Sequence, residues 1–156
     1  QSGKLSKTDV SEEEMKEKMM KKASQTWDTL TGDESSAAGY IARVMKEKGA
    51  EKGMKVFRYI KSGKAEKEYR VVEKEFNAAG YMFLYWGKLD KAIAMFKINV
   101  DEFPDSWNVY DSLGEAYMAA GKNIEATKNY KMALKLNPEA ESARKGLQKL
   151  ERLASK

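Results

Sequence analysis

The chain has neither cysteine nor histidine. Without cysteine no disulfide can form, and without both no zinc site of the usual Cys/His kind can be built. Histidine is also the commonest general acid and base, so the most frequent route to catalysis at neutral pH is closed. Proline is scarce, at two residues in 156. No apolar run approaches the roughly 18 residues of a membrane span, which argues against membrane insertion. An excess of one charge is lacking too. The net charge of +5 comes from 29 basic and 24 acidic side chains, interleaved in stretches such as KEKGAEKGMK and KAEKEYR. That pattern describes a solvated helical surface and not a nucleic-acid patch.

What is abundant is Ala, Leu, Met, Lys and Glu, the strong helix formers. Hydrophobic residues make up 42% of the chain, enough to build a core and too many for a disordered segment. The length suits one domain or one short repeat array. Beginning with glutamine, the chain reads as a processed or excised piece.

The main signal is internal repetition. GYMFLYWGKLDKAIAMFKINVDEFP, from Gly80 to Pro104, overlays GEAYMAAGKNIEATKNYKMALKLNP, from Gly114 to Pro138, at a shift of 34 residues. Gly80 falls on Gly114, Phe83 on Tyr117, Gly87 on Gly121, Ala92 on Ala126, Phe96 on Tyr130 and Pro104 on Pro138; upstream, Phe76 falls on Tyr110. Each unit reads as two helices. In the second, Asp105 or Ser106 is the expected N-cap, and Tyr110, Leu113 and Tyr117 recur on one helical face. Gly121 ends that helix and Asn123 is expected to cap the next. Ile124, Tyr130, Ala133 and Leu134 are expected to form the inner face of the second helix, and Pro138 closes it. A mid-helix glycine costs about 1 kcal/mol relative to alanine. Gly80 and Gly114 are therefore expected to permit close approach, each facing the small Ala92 or Ala126 with the aromatics filling the space beside them.

This spacing resembles the tetratricopeptide repeat. Gly80, Ala92, Phe96 and Pro104 in the first unit, and Gly114, Tyr117, Ala126, Tyr130 and Pro138 in the second, stand at signature positions. Tyr110 replaces a tryptophan-like residue, and Asn99 sits where alanine is usual. More narrowly, KLDKAIAMFKINVDEFPDSWNVYDSLGEAYMAAGK is similar to the helical tails appended to bacterial serine hydrolases and esterases, many of them exported. That resemblance implies a periplasmic or secreted setting in preference to the cytoplasm.

The expected organisation is all-α: an α-α superhelix of helical hairpins with an N-terminal helix and a C-terminal capping helix, about eight helices in all. Residues 1–34 hold a polar tail (1–9) and an amphipathic helix that opens on the capping box Ser11/Glu14, with Met15, Met19, Ala23 or Trp27, and Leu30 as its apolar stripe. Residues 35–70 form a degenerate hairpin in which Gly53 and Phe57 echo Ala92 and Phe96. Units follow at 71–104 and 105–138, then a capping helix at 139–156 with Ala140, Ala143, Leu147 and Leu150 on one face.

The resemblance implies a concave surface lined by the first helix of each pair: Lys74, Asn77, Tyr81, Leu84 and Tyr85 from one unit, and Asn108, Asp111, Ser112, Glu115 and Met118 from the next. Such a mixture suits a protein or peptide partner, with Asp111 and Glu115 favouring basic groups. No cofactor is expected. The glycines lack phosphate-loop spacing, the Ser142-to-Lys145 S-x-x-K pattern lacks its companion motifs, and no catalytic residue is assigned. The alternative to an interaction module is a structural appendage that packs on a neighbouring hydrolase domain or self-associates.

Overall fold

A computed structural model describes residues 11–155; the polar tail expected at 1–9 lies outside them. Within that span the chain is all-α. Its eight helices are α1 (Glu12–Gly32), α2 (Ala37–Lys48), α3 (Ala50–Lys61), α4 (Glu73–Tyr85), α5 (Leu89–Glu102), α6 (Trp107–Ala119), α7 (Asn123–Leu136) and α8 (Glu141–Ala154). Three consecutive pairs, α2/α3, α4/α5 and α6/α7, pack as hairpins, and α8 closes the last against both α6 and α7.

The two central hairpins turn by the same hydrogen bonds. Gly87 and Gly121 adopt left-handed backbones with φ of 68° and 71°, where a side chain would be strained. Gly87 N–H donates to Leu84 O at 3.0 Å and Lys88 N–H to Phe83 O at 2.8 Å; Gly121 and Lys122 repeat this to Met118 and Tyr117 at 3.0 and 2.9 Å. This is the Schellman arrangement, which satisfies carbonyls left over at a helix end. Because the turn leads straight into the next helix, α7 begins at Asn123 itself. Lys122 occupies the N-cap position without a side-chain bond, so Asn123 is not the cap expected from its residue type.

The helical glycines admit rings. A Cβ on Gly80 would stand 2.4 Å from a Phe96 ring carbon, and one on Gly114 would stand 2.8 Å from Tyr130. The close approach is thus glycine against aromatic face, not glycine against Ala92 or Ala126, although both alanines are fully buried. Tyr130 meets a second glycine on its other side. A Cβ on Gly146 of α8 would stand 2.5 Å from its Cζ.

The entry to α8 copies the entry to α6. Ser106 N–H donates to Phe103 O and Ala140 N–H to Asn137 O, both at 3.0 Å. Tyr110 Oη donates to Pro104 O at 3.0 Å, and 34 residues later Arg144 does the same to Pro138 O at 2.7 Å. Ser106 stands at the N-cap position of α6, but its hydroxyl donates to Glu73 Oε1 at 3.0 Å instead of capping its own helix.

One core runs from α1 to α6, centred on the fully buried rings of Phe76, Phe83 and Phe96; a smaller one joins α6, α7 and α8 around Tyr130. Burying such a ring contributes about 1.5–3 kcal/mol. Two sequence expectations fail here. Ile124 is 84% exposed, because it lies in the first turn of α7 on the side away from the hairpin contact. Ser112 is 1% exposed and does not stand on an open surface. Asn99 is also fully buried, and neither of its amide atoms finds a partner.

Candidate functional site

The site begins with α1. Ser11 Oγ accepts from Glu14 N–H at 3.2 Å and the Glu14 carboxylate accepts from Ser11 N–H at 3.0 Å, the reciprocal capping box. From that start α1 runs 21 residues, about 31 Å, antiparallel along α4. Its second half is anchored in the core: Ala23 and Leu30 are buried, and Trp27 packs edge-on to Phe83 at 6.2 Å and against Trp86 at 5.3 Å. Lys46 Nζ stands 4.4 Å from the Trp27 ring centroid, a cation–π contact. The first half rises beyond the body, leaving Met15 52% and Met19 38% exposed. The apolar stripe expected along α1 therefore divides into a buried half and an open half.

A polar clasp fixes the far end of α1. Arg70 donates to Asp33 Oδ2 at 2.8 Å, to Ser35 Oγ at 2.9 Å and to Glu75. Ser36 Oγ donates to Glu75 Oε2 at 2.8 Å and accepts from Gly39 N–H at 3.0 Å, capping α2. An isolated parallel bridge joins Ser36 to Arg70, with Arg70 N–H donating to Ser35 O at 2.8 Å and Ala37 N–H to Arg70 O at 3.0 Å. The Ser35 hydroxyl and the Arg70 guanidinium hold the Asp33 carboxyl well below the usual carboxylate range.

Between α1 and α4 lies a trough of three adjoining hollows, about 430, 310 and 230 Å³. Lys22, Thr26 and Ala78 are common to the first two, and Met19 and Tyr85 to the last two. The α1 wall follows one helical stripe, Met15, Met19, Lys22, Thr26 and Leu30; the α4 wall follows another, Lys74, Ala78, Tyr81 and Tyr85.

Beyond Tyr81 the surface becomes acidic. The Tyr81 and Tyr85 rings stack at 5.8 Å, and Tyr81 meets Phe96 edge-on at 5.1 Å. Tyr81 Oη donates to Glu115 Oε2 at 2.8 Å and lies 3.3 Å from Ser112 Oγ. Burial first, and the Glu115 carboxylate second, push the Tyr81 phenol well above its ordinary range; the same two causes raise Tyr85. Both tyrosines are therefore neutral donors at physiological pH. Asp111 accepts from Ser142 Oγ of α8 at 2.6 Å, and burial raises its carboxyl despite that bond.

The residues singled out in the sequence thus separate. Lys74, Tyr81 and Tyr85 line the trough. Glu115 joins Tyr81, and Asp111 is tied to α8. Asn108 reaches toward Glu73 Oε1 at 3.5 Å, beside the Ser106 bond that holds α6 to α4. Asn77 is half-buried with its Oδ1 unpartnered. The wall supplied by Lys22 and Thr26 of α1 was not anticipated; its signal was the polar residues interleaved with the methionine stripe.

Among the described residues no helix is long and apolar enough to cross a membrane, and no three acidic, histidine or cysteine side chains are placed to hold a metal ion. No protein-family model matches the chain, and the curated proteins contain no match to it.

Proposed function

We propose that the chain is a protein-interaction module: a short tetratricopeptide-type array that binds a partner protein or peptide on the face carrying α4 and α6. Support for the repeat type comes from the duplicated Schellman turns, the glycine-on-ring contacts and the proline carbonyls accepting from the next helix. The observation that carries the binding role is the open trough beside the stacked Tyr81–Tyr85 pair. Rigid aromatic side chains offer contact area at low entropic cost, and here they stand between apolar hollows and the acidic Glu115. No catalytic role is assigned, because the acidic groups nearest the trough, Asp33, Glu75 and Glu115, are engaged in structural bonds.

The test is affinity capture with the wild-type chain beside Tyr85→Ser/Glu115→Lys, chosen because both side chains are at least partly exposed. Loss of a captured partner, with an unchanged melting temperature, supports the reading. Capture that survives the double variant moves the interface elsewhere. No partner at all favours a structural appendage to a catalytic domain or self-association, for which the open half of α1 is the available apolar surface.

A further inference from the structure

We infer that the trough between α1 and α4 takes an amphipathic helix of a partner protein, apolar along one face and acidic along the edge that meets Lys22 and Lys74. The proposal rests on the interaction-module reading and specifies its ligand. Geometry supplies the first argument. The stripe from Met15 to Leu30 spans about 23 Å of helix, and both walls present side chains at helical spacing. A cleft between two antiparallel helices is the complement of a third helix, whose anchors recur at i, i+3, i+4 and i+7.

Charge supplies the second argument. The acids that reach the lining are Asp33 and Glu75; both pair with Arg70, so the three together carry a single net negative charge. The cations there, Lys16, Lys22 and Lys74, are exposed and have no acidic partner among the described residues, so they outweigh that one negative charge. The electrostatic character of the trough is therefore basic at its rim and apolar at its floor. On the far side of Tyr81, Glu115 reverses the sign and rejects a helix that is acidic on both edges. This reversal sets the orientation in which a one-edged acidic helix can lie.

The experiment uses the full chain and three fluorescein-labelled synthetic peptides of about 18 residues, long enough to span the trough as a helix. One carries a Leu/Met face with a glutamate edge, one the same face with a lysine edge, and one the glutamate composition scrambled. Fluorescence anisotropy at low salt should rank the glutamate-edged peptide about three- to tenfold tighter than its lysine twin, the range expected for a pair of exposed charge contacts. Lys22→Glu/Lys74→Glu should reverse that order without changing the melting temperature. Ala78→Trp, which plugs the trough, should abolish binding of both.

Equal affinity for the three peptides, or a preference unmoved by the Lys22/Lys74 exchange, overturns the proposal. If binding responds only to Glu115→Lys, a residue outside the lining, the module reading survives and the trough assignment falls. If no peptide binds, the trough assignment falls, and the module reading is decided by the affinity capture. Competition of the peptide by phosphatidylglycerol vesicles, with loss of vesicle binding in Lys22→Glu/Lys74→Glu, assigns the trough to a lipid surface and overturns the proposal.

Discussion

The hairpins α4/α5 and α6/α7 share their turns, their glycine-on-ring contacts and their proline exits, yet they sit in different surroundings. Phe96 is closed in by Tyr81, within the larger core that α1 also enters. Tyr130 lies between two glycines, with only α8 beyond it. Position 99 in the first hairpin is a buried asparagine without partners, and its counterpart in the second is Ala133, equally buried. Repeating the local grammar thus reproduces the hairpin but not its neighbourhood. A tertiary role enters only where an outside helix comes to rest.

The comparison breaks most visibly at the rings. Phe96→Ala should cost about 3–5 kcal/mol and lower protection of the whole core. Tyr130→Ala should cost less and loosen chiefly α7 and α8, since its cluster is smaller and terminal. Denaturant melts with amide-exchange protection read both effects; equal costs, spread equally, would mean the two hairpins are energetically alike.

Exchanging the residues at the next pair of equivalent positions sharpens it. Asn99→Leu removes two unsatisfied amide atoms at an equal number of side-chain heavy atoms and should stabilise the protein, while Ala133→Asn should destabilise it; leaving a buried polar group unpaired costs about 1–3 kcal/mol. A melt in which Asn99→Leu and the smaller Asn99→Ser are both destabilised would show that the amide is satisfied after all, since overpacking accounts only for the first.

The smallest contrast is at the glycines. Gly80→Ala brings overpacking of about 1–3 kcal/mol, of which about 1 kcal/mol is returned by better helix propensity. The net loss should be measurable. At Gly114 the contact is looser, 2.8 Å against 2.4 Å, and the two effects should nearly cancel. A Gly114→Ala variant that melts earlier than Gly80→Ala would invert the ranking.

How legible these features were in the sequence follows their range. Turns and exits were readable because Gly87, Gly121, Pro104 and Pro138 act on their own backbone. The capping box at Ser11 was readable for the same reason. Side-chain partners were not. Asp33, Ser35 and Glu75 carry no pattern that announces Arg70, because the bonds close across as many as 37 residues. Hydropathy placed Ile124 inside, but the angular position of the first turn of α7 decides otherwise. The periodicity of α1 showed an apolar stripe without showing where α4 stops covering it. The trough came into view only when both helices were placed. Gly146 carries no repeat signal, since it lies two residues away from the register of Gly80 and Gly114, and only the Tyr130 ring explains it.

The copied entry to α8 makes the molecule extensible. A duplicated stretch of residues 105–138 inserted after Pro138 would present the same carbonyl, the same turn and the same glycine-lined seat, so a gene duplication could lengthen the array without redesigning either end. One adjustment follows from the register. The inserted copy would bring the counterpart of Ser112 to the place now held by Gly146, against the Cζ end of Tyr130. A phenylalanine there, as at position 96, would relieve the crowding, which makes that single ring the molecule's natural splice point for engineering longer arrays.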